Sequence, residues 1–378
     1  MHIGFITSEY PHPALPPVGG IGVFIRTLAH AMVNKGHHVT VFLCLSDKNK
    51  EWFDSEIRIV QLKKEVSGWN KLINYFVIRK KIDEYIRKLN ISIIESADWE
   101  GLHAFLNTDI PVVTRIHGSV TYFNSLEHKK HSLLMKFLEN KALRKSTSIV
   151  AVSHFAAQTT QRLFKIDRDI SVIYNAVDIH TFQPGITEPE IPRVLYFGTL
   201  VRKKGAFDIP FIFNELIQMN PGVELILIGK DVIDNTEKKS TWLLMQENFS
   251  KQAKRQIKYL GPVEHTKLKN HINNSTVCIF PSYAEAFPIS WLEAMAMKKS
   301  VVASAIGWAK EMITDGESGY LEFPDNHREY AKKINILLKH DELRKRMGEN
   351  ARKKVENDFN LNLAVEKNIA LYKELLNN

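Results

Sequence analysis

The sequence predicts an α/β protein made of two doubly wound, parallel-sheet domains. Three observations predict it. The chain opens with an apolar run at 2–7, a Pro- and Gly-rich loop, a segment of helical period and a second apolar run at 38–43. Strand, glycine loop, helix, strand is a βαβ unit, and its crossover makes the two strands parallel. The same alternation recurs and restarts at Val194, after a stretch at 179–192 that carries Pro184, Gly185, Pro189 and Pro192 and reads as a linker. A length of 378 residues suits about two domains of roughly 100–200 residues each.

In the first half, the apolar runs at 57–62, 91–95, 112–116 and 148–152 read as further strands. Val23, Leu28, Ala31 and Met32 recur at helical spacing, and Gly36 closes that helix with a residue that tolerates positive φ. The segment 72–89 reads as a helix with Leu72, Ile73, Phe76, Ile82, Tyr85 and Ile86 on its apolar side and Arg79, Lys80, Lys81, Arg87 and Lys88 on its polar side. Helical patterns also cover 131–144 and 155–164, and Asn175-Ala-Val-Asp178 precedes the linker. In the second half the expected strands are 194–197, 223–228, 257–260, 277–280 and 301–303. Polar helical segments follow at 326–355. A last helix at 361–376 carries Leu361, Leu363, Val365, Ile369, Leu371, Tyr372, Leu375 and Leu376, too apolar to stand in water.

Composition narrows the class. At 44% hydrophobic and 25% charged the chain has enough apolar material for two cores. No apolar run approaches the ~18 residues that span a bilayer. Met1 leads directly into a strand, so the sequence reads as cytoplasmic and without a signal peptide. Cys44 and Cys278 both sit in apolar runs and read as buried thiols. The formal net charge of +9 favours anionic partners such as nucleotides or membrane phosphates. A merely solvated basic surface accounts for it equally well. Nucleic acid is disfavoured, because no aromatic-and-basic platform or groove-reading motif is present.

The stretch from Phe280 to Met297, FPSYAEAFPISWLEAMAM, organises the chemistry. A buried strand ends at Phe280, a turn holds Glu285, and a short helix from about Pro288 holds Glu293. Pro suits a first helical position. A loop running into a helix start presents backbone N–H groups and the positive end of a dipole, which suits a phosphate. Two carboxylates beside such a spot can accept hydrogen bonds from sugar or ribose hydroxyls. A Glu-x₇-Glu pair alone is more often solvated helix surface. Gly19-Gly20-Ile21-Gly22, after the first strand, lies where doubly wound folds bind ligands. Its spacing is not that of the dinucleotide fingerprint, and alone it reads equally as a turn. Asp98-Trp-Glu100, after the strand at 91–95, is placed to meet an acceptor. Asp167-Arg-Asp169 has the spelling of a metal-binding Asp-x-Asp but lacks the preceding apolar strand, so no metal site is expected.

With these residues in view, the chain resembles the retaining glycosyltransferases of the GT-B architecture, family 4, over nearly its whole length. Four places carry the likeness: Gly19-Gly20-Ile21-Gly22; Tyr174-Asn-Ala-Val-Asp178; Phe197-Gly-Thr-Leu with Lys204-Gly205; and Glu285-Ala-Phe-Pro-Ile-Ser-Trp-Leu-Glu293-Ala-Met-Ala296 with its flanks Phe280-Pro-Ser and Val301-Val-Ala-Ser. The resemblance implies two Rossmann-like domains facing across a cleft. An acceptor-binding domain would cover 1–183 and a nucleotide-sugar domain 184–360, with the helix at 361–376 returning to the first. It also implies roles. Glu293 would hold the ribose and Glu285 the donor-sugar hydroxyls. The N–H groups of Phe287 and Ile289, with Lys204, would hold the diphosphate. Gly20 and Gly22 would let backbone approach the phosphates, His117 would face the donor sugar, and the turn at Gly261-Pro-Val263 would read the base. The family's arginine position is Thr199 here, and Arg202 is the substitute the sequence offers. Asp98 and Glu100 are the acceptor candidates.

The implied reaction moves a hexose-type sugar from a nucleotide-diphosphate sugar to a hydroxyl acceptor with retention, in cell-surface polysaccharide or glycoconjugate synthesis. It needs no cofactor and no metal, because Lys204, Arg202 and the helix end can neutralise the leaving diphosphate. The acceptor class is a sugar, lipid-linked or small-molecule hydroxyl. Two other readings stay open: a nucleotide-sugar 2-epimerase-like isomerase, which needs no acceptor site, and a non-catalytic nucleotide-sugar binder. The basic, apolar segments 72–89, with Trp69 near its start, and 128–145 read either as peripheral contact with an anionic membrane at its inner face or as ordinary sheet-packing helices with solvated lysines.

Overall fold

The structure is a computed structural model and describes residues 1–15, 18–66, 72–185 and 189–377. The chain divides into two compact units, one of Met1–Asn175 with Asn362–Asn378 and one of Ala176–Leu361. The sequence placed the crossover at 183/184. The division falls earlier because residues after Asn175 are tied to the end of the second unit. Val177 donates to the Phe359 carbonyl at 3.0 Å, and Leu361 donates back to the Val177 carbonyl at 3.1 Å.

The first unit runs β1 (His2–Thr7), α1 (Gly20–Asn34), β2 (His38–Ser46), β3 (Lys50–Asp54), β4 (Ile57–Lys63), α2 (Leu72–Leu89), β5 (Ile93–Ala97), β6 (Val112–Ile116), α3 (Val120–Leu126), α4 (Leu133–Lys145), β7 (Ser148–Ala151), α5 (His154–Phe164) and β8 (Ser171–Val172). Its sheet has the order β3-β4-β2-β1-β5-β6-β7-β8, parallel except where β3 turns back on β4. The central strands are continuous apolar runs because both faces are covered. On one face α2 and α4 lay Ile78, Ile82, Ile86, Leu138 and Ala142 against Phe42, Val60 and Ile94. Each such side chain taken from water contributes roughly 1.5–3 kcal/mol. The register of α2 corrects the expected apolar side. Tyr75, Ile78, Ile82 and Ile86 point inward, whereas Ile73 and Phe76 point to solvent.

The second unit runs β9 (Arg193–Phe197), α6 (Ile209–Met219), β10 (Glu224–Ile228), α7 (Thr241–Asn248), β11 (Ile257–Tyr259), α8 (His265–Asn273), β12 (Val277–Phe280), α9 (Ile289–Ala296), β13 (Ser300–Ser304), α10 (Ala309–Met312), β14 (Tyr320–Glu322), α11 (His327–Lys339) and α12 (Asp341–Asp358). Its sheet is wholly parallel, in the order β11-β10-β9-β12-β13-β14. α6 and α11 cover one face with Ile212, Phe213, Leu216, Ile334 and Leu337. Buried Tyr330 joins two neighbouring strands: its hydroxyl donates to the Val302 carbonyl at 2.6 Å and accepts from the Phe280 N–H at 3.3 Å.

The last helix, α13 (Leu361–Asn377), belongs to the first unit from Asn362 onward. A buried polar network fixes it there. Arg115 grips Glu95 with two hydrogen bonds of 2.7 and 2.8 Å. The Tyr372 hydroxyl donates to the same carboxylate at 2.6 Å, and Arg115 also donates to the Asn368 amide oxygen. The Phe24 ring of α1 lies 5.1 Å from the guanidinium. Both cysteines are free and buried.

Candidate active site

In the second unit, the loops after β9 and β12 lie against each other at backbone distance. Gly205 has φ +69°, and a Cβ placed on it would stand 1.9 Å from the Pro281 carbonyl oxygen. Only glycine fits such an approach. Across this seam the N–H groups of Tyr283 and Ala284 donate to the Lys203 carbonyl at 2.8 and 3.1 Å. The seam sets the next residue, Lys204, against Glu285, with Nζ 2.9 Å from Oε1. The Ser282 hydroxyl donates to the same oxygen at 3.4 Å.

The helix expected from about Pro288 begins at Ile289. Pro288 takes the cap, with φ −71° and ψ 121°, and is extended rather than helical. First-turn amides of an α-helix have no acceptor within the helix. Ile289, the first residue of α9, therefore puts its N–H at the positive end of the helix, and Phe287 stands one residue before the cap. One turn on, Glu293 is buried and its Oε1 lies 2.7 Å from Nε2 of His265, at the start of α8. The half-buried Val263 sits in the turn just before α8, after Gly261 at φ +69°. Nothing in the sequence pointed to His265, since it stands on a different element from Glu293.

Arg202 lies in the turn before Gly205, and its guanidinium is held by Asp234 through two hydrogen bonds of 2.9 and 3.0 Å. It also stacks 4.2 Å from the Phe207 ring. That hydrogen-bonded pairing holds the Asp234 carboxyl low, at about 2. Asp234 also accepts from the N–H groups of Thr236 and Glu237, so Arg202 ties down the loop that follows β10.

In the first unit, Gly20 starts α1, and a Cβ there would meet nothing within 4 Å. At Gly22 a Cβ would stand 2.9 Å from Val18 Cγ2 and 3.2 Å from the Glu9 backbone, so a larger residue there would have to push both aside. The Glu9 carboxylate accepts from the Gly19 N–H at 3.1 Å and shapes the loop before the helix. His117 follows β6 and is buried, with its ring edge-on to Phe24 at 4.6 Å between centroids. Burial, reinforced by the neighbouring Arg115 charge, pushes the imidazole down to about 3, so it is neutral at physiological pH.

Asp98 is only 2% exposed, which departs from a side chain presented to an acceptor. Its Oδ1 accepts the His117 N–H at 2.9 Å. Its Oδ2 is buried without a hydrogen-bond partner. Burial raises the carboxyl to about 8, with the nearby Glu139 adding to the rise. Glu139, also buried, accepts the Val120 N–H at 2.9 Å and the Thr121 N–H at 3.2 Å. Two buried carboxylates thus hold the backbone of 117–121, where Gly118 takes φ +94°. The sequence singled out only one of them. Glu139 is spelled like any acidic residue of a basic helix. Glu100 takes φ +58°, and its carbonyl accepts the Tyr75 hydroxyl at 2.8 Å.

Among the described residues no group of three His, Cys, Asp or Glu side chains could hold a metal ion. Asp167 and Asp169 stand exposed in the turn before β8. Among the described residues no helix is long and apolar enough to cross a membrane.

Comparison with known proteins bears on this arrangement. A family model described as Glycosyltransferase Family 4 matches residues 18–181, and one described as Glycosyl transferases group 1 matches residues 180–354. The chain belongs to glycosyltransferase family 4. This glycosyltransferase is 23% identical to a glycogen synthase of Mycobacterium tuberculosis over 95% of its own length and 91% of the relative's. Its fold is GT-B. A sucrose-phosphate synthase structure from Thermosynechococcus elongatus superposes with a TM-score of 0.82 at 21% identity, covering 99% of this chain and 98% of that one. The Anabaena protein HepE, solved in complex with UDP and glucose, superposes with a TM-score of 0.77 at 18% identity, covering 99% and 100%.

Proposed function

We propose that the enzyme moves a hexose-type sugar from a nucleotide-diphosphate sugar to a hydroxyl acceptor, with retention of anomeric configuration and without a metal ion. The observation that carries this reading is the pairing of Lys204 with Glu285 at 2.9 Å, beside the positive end of α9. It joins a cation suited to a diphosphate with a carboxylate suited to sugar hydroxyls. The presence of UDP and glucose in the HepE structure supports a nucleoside-diphosphate donor.

In this mechanism the anomeric C–O bond breaks with negative charge growing on the diphosphate. Lys204 and the Phe287 and Ile289 amides stabilise that charge. Glu293 with His265 binds the ribose, and the turn at Val263 meets the base. His117, neutral, offers the donor sugar a hydrogen bond rather than a charge. Arg202 acts mainly through Asp234, by fixing the neighbouring loop. The acceptor hydroxyl attacks from the face that the diphosphate leaves and gives its proton to a departing phosphate oxygen. No protein nucleophile is needed. Glu100 remains the acceptor-side candidate. The product belongs to cell-surface polysaccharide or glycoconjugate synthesis, and peripheral contact with an anionic membrane is part of the same reading.

A thermal-shift screen against nucleoside diphosphates and their sugars tests this, because a ligand bound only by the folded state raises Tm. A rise with one nucleoside diphosphate and its sugar, followed by release of that diphosphate with a hydroxyl acceptor, is expected. No shift across the panel would overturn the reading.

A further inference from the structure

Exposed apolar side chains gather on one part of the first unit. Leu133 is 85% exposed, Phe137 53%, Phe76 50%, Ile73 45% and Leu134 40%. All five lie on the first turns of α2 and α4. Single exposed apolar residues are normal, but a joined group is not. This group is joined. The Phe76 ring lies 4.5 Å from that of Phe105. Lys141 Nζ sits 4.0 Å over the Phe105 ring and 5.9 Å from that of Phe137, so the two helices share one surface.

The charges around it are mostly basic. Lys129 and Lys130 stand exposed just before α4, with Lys136 and Lys141 on the helix itself. The one acidic residue of α4, Glu139, is buried with both oxygens on backbone amides and shows nothing outward. Of the neighbouring acids, Asp83 is paired with Arg79 and Glu127 with Lys129. Glu84, further along α2, is exposed. An acidic protein would satisfy the lysines but gain little from five protruding apolar groups. A lipid surface answers both: acyl chains take the Leu and Phe side chains, phosphates take the ammonium groups, and lysine stems lie between.

We propose that the joined face of Ile73, Phe76, Leu133, Leu134 and Phe137, rimmed by Lys129, Lys130, Lys136 and Lys141, docks this enzyme on an anionic phospholipid surface. It deepens the peripheral-contact part of the proposed function. Trp69, which the sequence grouped with this region, lies outside the described residues. Tyr75, Leu138 and Leu143, grouped there too, are buried and take no part.

The test is co-sedimentation of the full chain with vesicles of phosphatidylcholine alone and of phosphatidylcholine mixed with phosphatidylglycerol, at low and high salt. No donor is present and no turnover is read, so the result is separate from that of the transferase assay. Selective pelleting with the anionic vesicles, weakened by salt, is expected. Lys129→Glu with Lys130→Glu, and separately Leu133→Glu with Phe137→Glu, should lower the bound-to-free ratio about tenfold or more. Leu243→Glu, an equally exposed apolar site of the second unit, should not. All these side chains are at the surface, and unchanged melting confirms folding. Equal pelleting with both vesicles, no pelleting, or insensitivity to the substitutions overturns the proposal. So does a dimer that only Leu133→Glu with Phe137→Glu dissociates, which assigns the face to a second copy. Binding to soluble polyglutamate without vesicle binding assigns it to an acidic partner and overturns it as well.

Discussion

Lys204 Nζ lies 2.9 Å from Glu285 Oε1, on two loops locked together at Gly205. The ammonium is already facing the carboxylate that would grip the sugar, so a diphosphate entering beside it finds a fixed cation rather than a mobile one. Lys204→Ala is expected to lower kcat by about 10²–10³, the usual cost of removing one preorganised stabiliser of developing negative charge. Glu285→Ala should likewise act mainly on kcat. Glu293→Ala should instead raise KM for the donor, by about tenfold, since it removes a charged hydrogen bond made before and during reaction. Steady-state kinetics on the three variants check this, and unchanged parameters would remove the site assignment.

The absence of a metal requirement is a separate expectation. Lys204 and the α9 amides supply the positive field, and Asp167 and Asp169 stand in an exposed turn. Transfer in excess EDTA should stay within about twofold of the untreated rate. Activity lost on chelation and restored by Mg²⁺ or Mn²⁺ would return the Asp-x-Asp to the mechanism.

Asp98 yields a pH prediction. Its folded carboxyl is raised to about 8 by burial, against an unfolded value near 3.9. Between those values the folded state binds the extra proton, so this group's contribution to stability falls as pH rises from about 4 through 8. Asp98→Asn mimics the protonated form and keeps an acceptor for the His117 N–H. Its Tm relative to the parent should therefore climb across that window, whereas Asp98→Ala, which frees the amide, should lose stability and kcat throughout. Melting curves at several pH values decide it; a flat difference between Asn and parent would mean that Asp98 is ionised with an ordinary carboxyl.

Much of this fold could be read from residue pattern. The central strands are Val- and Ile-rich runs covered on both faces, and such runs announce themselves. β3, spelled Lys-Glu-Trp-Phe-Asp, is a polar edge strand held by pairing to β4, so no local pattern marks it. Two of the six residues placed on the apolar side of α2 were misread, because Ile73 and Phe76 are apolar and still face water. For the site, Lys204-Gly205 and both glutamates were singled out by the family resemblance, and the packing of Gly205 on Pro281 was not foreseen. Nor were the Asp98–His117 and Glu293–His265 contacts. They depend on which loops the topology places side by side, and a charged residue in a loop is read as solvated unless that is known.

The network under α13 is expected to be energetically uneven. Arg115→Met would leave the Glu95 carboxylate buried and unmatched, at a cost of about 3–5 kcal/mol. Tyr372→Phe removes one hydrogen bond to a charge while Arg115 keeps its grip, at about 1.5–3 kcal/mol. Urea midpoints should order parent, Tyr372→Phe and Arg115→Met from highest to lowest. The reverse order would show that the Tyr372 hydroxyl, not the ion pair, fixes the helix to the first unit.

Gly205 tests the geometry behind the first prediction without touching either charged group. A methyl there would overlap the Pro281 carbonyl oxygen at 1.9 Å, and the φ of +69° is itself unfavourable for any L side chain. The loops after β9 and β12 must then part, breaking the Tyr283 and Ala284 hydrogen bonds to Lys203 and moving Lys204 off Glu285. The remainder of the second unit has its own core between α6, α11 and the sheet, so the change should stay local. Gly205→Ala is therefore expected to lower kcat nearly as far as Lys204→Ala, with secondary structure retained by circular dichroism and Tm lowered by only a few degrees. Combined with Lys204→Ala it should add little further loss, because both remove the same placed cation. Additive losses in the double variant would mean that the seam serves something other than the lysine.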